Sequence, residues 1–199
     1  MKQRELEITL QSLKGFTNAR PDLEQYPTPA RIAADVLYTA HSFGDVAGKR
    51  VIDLGCGPGI FSIGACLLGA GSVTGLDTDA EALKTASENA RLAGCEVTYV
   101  CSPVEKAEGK FDTCIMNPPF GSQNRHADLP FLEKAMDIAS VVYSIHNSGT
   151  IGHLSRKIVN NGWIIDAEKN YSFEIRHTFS FHTKEKAMFD VTLIRIVRP

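Results

Sequence analysis

The sequence predicts an α/β protein, a doubly wound and mostly parallel sheet with an antiparallel strand at its C-terminal end. Three observations carry that expectation. From Arg50 onward, short apolar runs rich in β-favouring residues alternate with helical patterns, as in parallel strands joined by crossover helices. The first run leads into Gly55-Cys56-Gly57-Pro58-Gly59, a glycine-rich turn between a strand and a helix. The last two runs follow one another with no helical pattern between them, so a hairpin should reverse one of them.

In chain order, Leu6, Leu10 and Leu13 recur at helical spacing within Lys2–Leu13. After a loop, Pro27 forces Tyr26 to be extended, and Thr28 followed by Pro29 reads as an N-cap and first helical residue. Ile32, Val36, Leu37 and Ala40 mark the inner face of that helix, and Gly44 ends it. The alternation then predicts strands at Arg50–Leu54, Ser72–Asp77, Val97–Cys101, Phe111–Met116, Val141–His146, Trp163–Ala167 and Phe189–Val197. Helices are expected at Phe61–Leu68, Asp79–Ala93, Pro130–Ala139 and Thr150–Asn160. The 199 residues predict one domain, residues 1–44 forming a helical segment ahead of a core over residues 45–199.

Composition narrows the function classes. Hydrophobic residues make up 43% and charged residues 22%, ordinary for a soluble globular chain. The net charge of −2 gives no global basic field, so nucleic-acid binding would need a local patch. Cys56, Cys66, Cys95, Cys101 and Cys114 are odd in number and contain no CxxC pair, which predicts reduced thiols, no zinc site and a cytoplasmic location. The charged N-terminus does not read as a signal peptide, and no apolar run is long enough for a membrane span.

The chemistry is expected at Phe111–Gly121. The apolar strand stops at Asn117-Pro118-Pro119-Phe120, where two prolines cannot continue a sheet ladder. The result is a stiff loop at the carboxyl end of a strand, where open α/β sheets bind ligands. The Asn117 amide oxygen and the Pro118 carbonyl are acceptors, and Phe120 has a flat face. That set suits a planar group bearing NH2, although a rigid turn that contains Asn by chance uses the same residues. Upstream, glycines let a ligand approach the backbone of the Gly55–Gly59 turn. Asp77 follows eighteen residues later, at the end of the second strand, where a carboxylate can accept both ribose hydroxyls. The dinucleotide fingerprint is disfavoured, because its third glycine position is Ile60. Gln25-Tyr26 reads either as the approach to a helix or as a lid over the turn.

Together these motifs resemble the class I S-adenosylmethionine-dependent methyltransferases, with Asp53–Gly59 as their glycine motif and Asn117–Phe120 as their Asn-Pro-Pro-aromatic motif. Adding Glu24–Thr28, Asp53–Gly71, Gly75–Leu83, Val142–His146 and Phe181-His182, the chain resembles the methyltransferase-like protein 5 family from about Leu23 to its end. That resemblance implies a Rossmann-like fold, S-adenosylmethionine as cofactor, and methylation of N6 of an adenosine in small-subunit ribosomal RNA. It implies that Gly55, Gly57, Pro58, Gly59 and Ile60 hold the cofactor's methionine part and ribose, and that Asp77 holds the ribose hydroxyls. Gln25, Tyr26 and Thr28 would close over the cofactor, and Ser102-Pro103 would meet its adenine. The family commonly carries Asp where this chain has Ser102, a neutral and weaker acceptor, with Glu105 nearby as a possible substitute. Asn117, Pro118, Pro119 and Phe120 would be the catalytic set, with no metal.

For RNA, Lys169–Pro199 carries six cations against three acids, interleaved with Tyr171, Phe173, Phe179, Phe181, His177 and His182. The same pattern also describes a solvated hairpin. Gln123-Asn124-Arg125-His126 is either a substrate loop or a plain connection, and His146 and His153 are expected to be structural. The resemblance also implies a small zinc-containing Trm112-like activator, which would cover the third strand at a sheet edge through Val97, Tyr99 and Val100. Two rival functions remain: methylation of protein glutamine or DNA adenine, which also present a planar NH2, and a non-catalytic cofactor-binding scaffold for ribosome assembly.

Overall fold

The computed structural model describes residues 1–20, 23–121, 126–176 and 186–199. Two N-terminal helices, α1 (Gln3–Gln11) and α2 (Ala30–Ser42), precede the alternating part. That part runs β1 (Arg50–Leu54), α3 (Ile60–Leu67), β2 (Ser72–Asp77), α4 (Ala80–Leu92), β3 (Thr98–Cys101), β4 (Phe111–Met116), α5 (Leu129–Ile138), β5 (Ala139–Asn147), α6 (Ile151–Asn160), β6 (Ile164–Arg176) and β7 (Lys186–Val197). Among the described residues the strands form one seven-stranded sheet in the order β3-β2-β1-β4-β5-β7-β6. The pairs β1–β2, β1–β4, β2–β3 and β4–β5 are parallel. The pairs β5–β7 and β6–β7 are antiparallel, so β7 is the reversed strand that the missing crossover helix predicts.

The buried strands are apolar on both faces because both faces are covered. On one side, Val51, Val73, Ile115, Tyr143 and Ile145 pack with Leu6 and Leu10 of α1, Val36 and Leu37 of α2 and Phe61 of α3. On the other, Ile52, Leu54, Cys114, Met116 and Val142 pack with Leu132 and Met136 of α5 and Leu154 and Ile158 of α6. Asp79 caps α4, its carboxylate accepting from Glu81 N at 3.0 Å and Ala82 N at 3.4 Å.

Several expectations need correction. Thr28 is not the N-cap of α2: that position is Pro29, without a side-chain cap, and the Thr28 hydroxyl is used elsewhere. The last two strands reach well beyond Trp163–Ala167 and Phe189–Val197, because they pair with each other over twelve positions as a long hairpin. The β3 edge is less apolar than expected: Val97 lies outside the strand, and the Tyr99 ring turns inward over Gly75, leaving Val100 exposed. Among the described residues no helix is long and apolar enough to cross a membrane.

Candidate active site

Strand register assembles the site. Leu54 of β1 pairs with Leu76 of β2 on one side and with Met116 of β4 on the other. The next residues, Gly55, Asp77 and Asn117, therefore lie side by side at the carboxyl edge of the sheet, Asp77 in its last pairing with Cys101 of β3, with adjacent strands about 4.8 Å apart. The strand order reverses between β1 and β4, which is the switch point where open α/β sheets hold ligands. A cavity of about 500 Å³ opens there, within the range of small-molecule sites. Gln25, Tyr26, Thr28, Gly55, Gly57, Pro58, Ile60, Asp77, Ser102, Pro103, Asn117, Pro118, Pro119 and Phe120 all line it. Gly59 does not: it is buried behind the turn as the residue preceding α3.

The glycines of the turn are dictated by backbone and space together. Gly57 has φ +49°, and a Cβ there would meet the Phe16 ring at 2.7 Å. Gly59 has φ +91°, and a Cβ there would meet the Tyr99 hydroxyl at 2.6 Å. The turn is further tied down by Asp77, whose carboxylate accepts from Gly57 N at 2.8 Å and from Asp79 N at 2.9 Å. Burial raises the Asp77 carboxyl above its usual range despite those bonds. Beneath the turn lies Asp53, 1% exposed, accepting at one oxygen from Ser62 N at 2.9 Å and Ser62 Oγ at 2.6 Å. Its other oxygen has no partner among the described residues, and burial pushes this carboxyl up to about 7.

The N-terminal segment closes the cavity from above. Gln25 donates from Nε2 to Asp79 at 2.7 Å and accepts at Oε1 from Arg20 N at 2.7 Å, so it ties the lid to the cap of α4. Tyr26 lines the cavity and lies 6.2 Å from the Phe189 ring of β7. Thr28 is held between Pro27 and Pro29, and its Oγ1 accepts from Asn117 Nδ2 at 3.0 Å. The Asn117 amide is thereby turned, and its oxygen is buried with no partner among the described residues. A buried acceptor without a donor costs roughly 1–3 kcal/mol, so this oxygen is left to accept from a donor that enters the cavity.

Two aromatic residues of the cavity are among those that the sequence reading missed. Phe16 lies against Gly57, and Phe131 of α5 lies 3.1 Å from where a Gly55 Cβ would be. Phe16 stands in a loop with no periodic signal, and Phe131 reads as one more apolar residue of an amphipathic helix. Ser102 lines the cavity, its hydroxyl donating at 3.4 Å to the neighbouring Pro103 carbonyl, and Glu105 lines the cavity beside it.

The basic C-terminal segment is partly spent on folding. Lys169 pairs with Asp35 at 2.6 Å, Arg195 bridges Asp45 at 2.9 Å and Asp166, and Arg198 stacks on Trp163. Residues 177–185, and with them His177, Phe179, Phe181, His182 and Lys184, lie outside the described residues, as do Gln123, Asn124 and Arg125. His146 is structural as expected: it is 1% exposed and bonds Ser144 Oγ at 2.6 Å and Asp128 at 3.2 Å. That row resembles a nucleophile relay, but Ser144 is completely buried, so it latches β5 to the start of α5. His153 stacks on His126, and no cluster among the described residues could hold a metal ion.

The donor set fits S-adenosylmethionine: a glycine cradle for a backbone-like methionine, a carboxylate for a ribose, and a half-open wall at Ser102 for a base. A family model for the ribosomal protein L11 methyltransferase matches residues 38–118, the stretch that carries the glycine turn. Over the whole chain the similarity lies elsewhere. The zebrafish (Danio rerio) rRNA N6-adenosine methyltransferase METTL5 is 40% identical over 98% of both chains, and the Drosophila melanogaster protein of that name is 36% identical over 98% of this chain and 96% of its own. A solved structure from Pyrococcus horikoshii, described as a candidate RNA methyltransferase, superposes with a TM-score of 0.93 at 38% identity, covering 100% of this chain and 98% of that one. With this identity maintained end to end, the chain belongs to the METTL5 family of methyltransferases.

Proposed function

We propose that this protein transfers a methyl group from S-adenosylmethionine to N6 of an adenosine in RNA, specifically small-subunit ribosomal RNA. The observation that carries this reading is the buried, unpartnered amide oxygen of Asn117 in the same cavity as the glycine turn and Asp77. When bound, S-adenosylmethionine supplies a methyl group on a sulfonium, activated for attack by a nitrogen nucleophile. The chain's residues do the rest. The bare backbone of the Gly55–Gly59 turn, whose N–H groups bond Leu76, Asp77 and Cys56 within the protein, lets the cofactor approach closely, and the carboxylate of Asp77 orients it. Asn117 Oδ1 and the Pro118 carbonyl accept the two amino hydrogens of the target base. That pulls the nitrogen lone pair out of the ring and stabilises the charge that grows on it. Phe120 stacks on the base and fixes its distance to the methyl group. The adenosine must be unstacked to enter, which favours a loop or junction of the RNA.

A second reading has one observation in its favour. A protein of Methanocaldococcus jannaschii described as a candidate protein N5-glutamine methyltransferase is 33% identical over 99 residues, 49% of this chain. A glutamine amide also offers a planar NH2 to Asn117. Supplying methyl-labelled cofactor with RNA, DNA and protein together separates the two: label in RNA supports the proposal, and label confined to protein rejects it. We further propose a small zinc-containing partner of the Trm112 kind along β3, which is an edge strand with exposed Val100 and Cys101. The five free cysteines favour a cytoplasmic setting for the reaction.

A further inference from the structure

We propose that Thr28 is a positioning residue for the transfer, and that its hydroxyl sets which face of the Asn117 amide the substrate meets. This inference rests on the reading of Asn117 as the acceptor of the amino group, and adds to it a means of control.

An Asn side chain ends in two nearly isosteric groups, an oxygen that accepts and an NH2 that donates. Only the oxygen can take a hydrogen from an amino group. Turned the other way, the same amide would confront an NH2 with an NH2 and block the reaction. Nothing in Asn117 itself makes that choice. In the structure, Nδ2 donates to Thr28 Oγ1 at 3.0 Å while Oδ1 is left buried without a partner. The other orientation would satisfy the oxygen only if the Thr28 hydroxyl gave its proton to Asn117, and would leave Nδ2 in the unpartnered position instead. The hydroxyl has one proton and lines the cavity. Donated to an acceptor in the cavity, that proton leaves Oγ1 as an acceptor toward Asn117 and locks the catalytic orientation.

The local sequence makes Thr28 a firm post. Pro27 and Pro29 fix the backbone on both sides, and α2 starts at Ala30. Gln25 ties the same segment to Asp79, two residues after the carboxylate that holds the ribose position. A lid residue is thus joined to the reacting loop by one hydrogen bond.

The test compares wild type, Thr28→Val, which keeps the shape and removes the hydroxyl, and Thr28→Ser, which keeps the hydroxyl. Single-turnover methyl transfer at saturating cofactor and RNA is measured beside cofactor affinity by calorimetry. We expect Thr28→Val to slow transfer at saturating cofactor by at least about tenfold, whatever affinity it also loses, and Thr28→Ser to stay within about threefold of wild type. Transfer by Thr28→Val at the wild-type rate, a Thr28→Ser as slow as Thr28→Val, or a loss confined to cofactor affinity would each overturn the inference. A second measurement needs no variant at position 28. In the wild type with cofactor, the Asn117 side-chain NH2, assigned by its disappearance in Asn117→Asp, should exchange with solvent more slowly than a free amide, and free exchange would refute the bond. Absence of label from RNA in the wild type would instead reject the RNA reading and leave the exchange measurement standing.

Discussion

Replacing Asp53 by Asn tests the electrostatic reading of the glycine turn. The carboxyl is fully enclosed beneath the turn, and burial holds it at about 7. In the unfolded chain it should titrate near its ordinary value, about 3.9. The folded state therefore holds this proton more tightly than the unfolded one. Asp53 favours folding most below about pH 4, loses that contribution as pH rises from about 4 to 7, and adds no further slope above about 7. Three pH units at about 1.36 kcal/mol each give an effect on the order of 4 kcal/mol, about 3 kcal/mol of it between pH 5 and pH 8. Asn keeps an oxygen for the Ser62 N–H and hydroxyl, and removes the titration. Asp77 is also raised by burial, and its charge contributes to the Asp53 shift, so a minor part of the difference reports the coupling of the two carboxyls. Urea unfolding of wild type and Asp53→Asn across this range should show the variant gaining on wild type as pH rises, then a plateau. A difference that is flat, or that moves in favour of wild type with rising pH, would refute the assignment of a protonated buried acid.

Other perturbations probe the walls of the cavity. Gly57→Ala meets both a positive φ and the Phe16 ring at 2.7 Å, and calorimetry should show cofactor affinity falling at least about tenfold, about 1.4 kcal/mol. Phe120→Ala removes a stacking face worth roughly 1–3 kcal/mol, so kcat/KM for RNA should fall by about 5- to 100-fold while cofactor affinity holds. Ser102→Asp replaces a neutral acceptor by a charged one, and cofactor affinity should rise severalfold, roughly 1 kcal/mol, if this wall meets the adenine amino group.

The sheet was legible in the sequence because its signals are local. Apolar strands, glycine stops and crossover helices each announce themselves within a dozen residues, and the lack of a helix after Trp163–Ala167 was enough to predict that a strand reverses. The cavity's floor was legible for the same reason: Gly55, Asp77 and Asn117 each end a strand, and parallel register places them together. What stayed hidden depends on contacts distant in sequence. Thr28 and Asn117 are 89 positions apart, so a Thr-Pro pair looked like a helix cap when its hydroxyl was serving another loop. Tyr99 looked like part of an apolar edge, and only the bare Gly75 on the next strand lets its ring turn inward. Lys169 and Arg195 counted as cations available to RNA until Asp35 and Asp45 were seen beside them.

The most direct test of the account is to react ribosomal RNA with methyl-labelled S-adenosylmethionine and the protein, digest it, and identify the labelled nucleoside by mass spectrometry. Wild type should yield N6-methyladenosine. Asn117→Ala should transfer about 10²- to 10³-fold more slowly, with cofactor affinity within about threefold of wild type. Methyl groups on another nucleoside, or Asn117→Ala working at the wild-type rate, would contradict it.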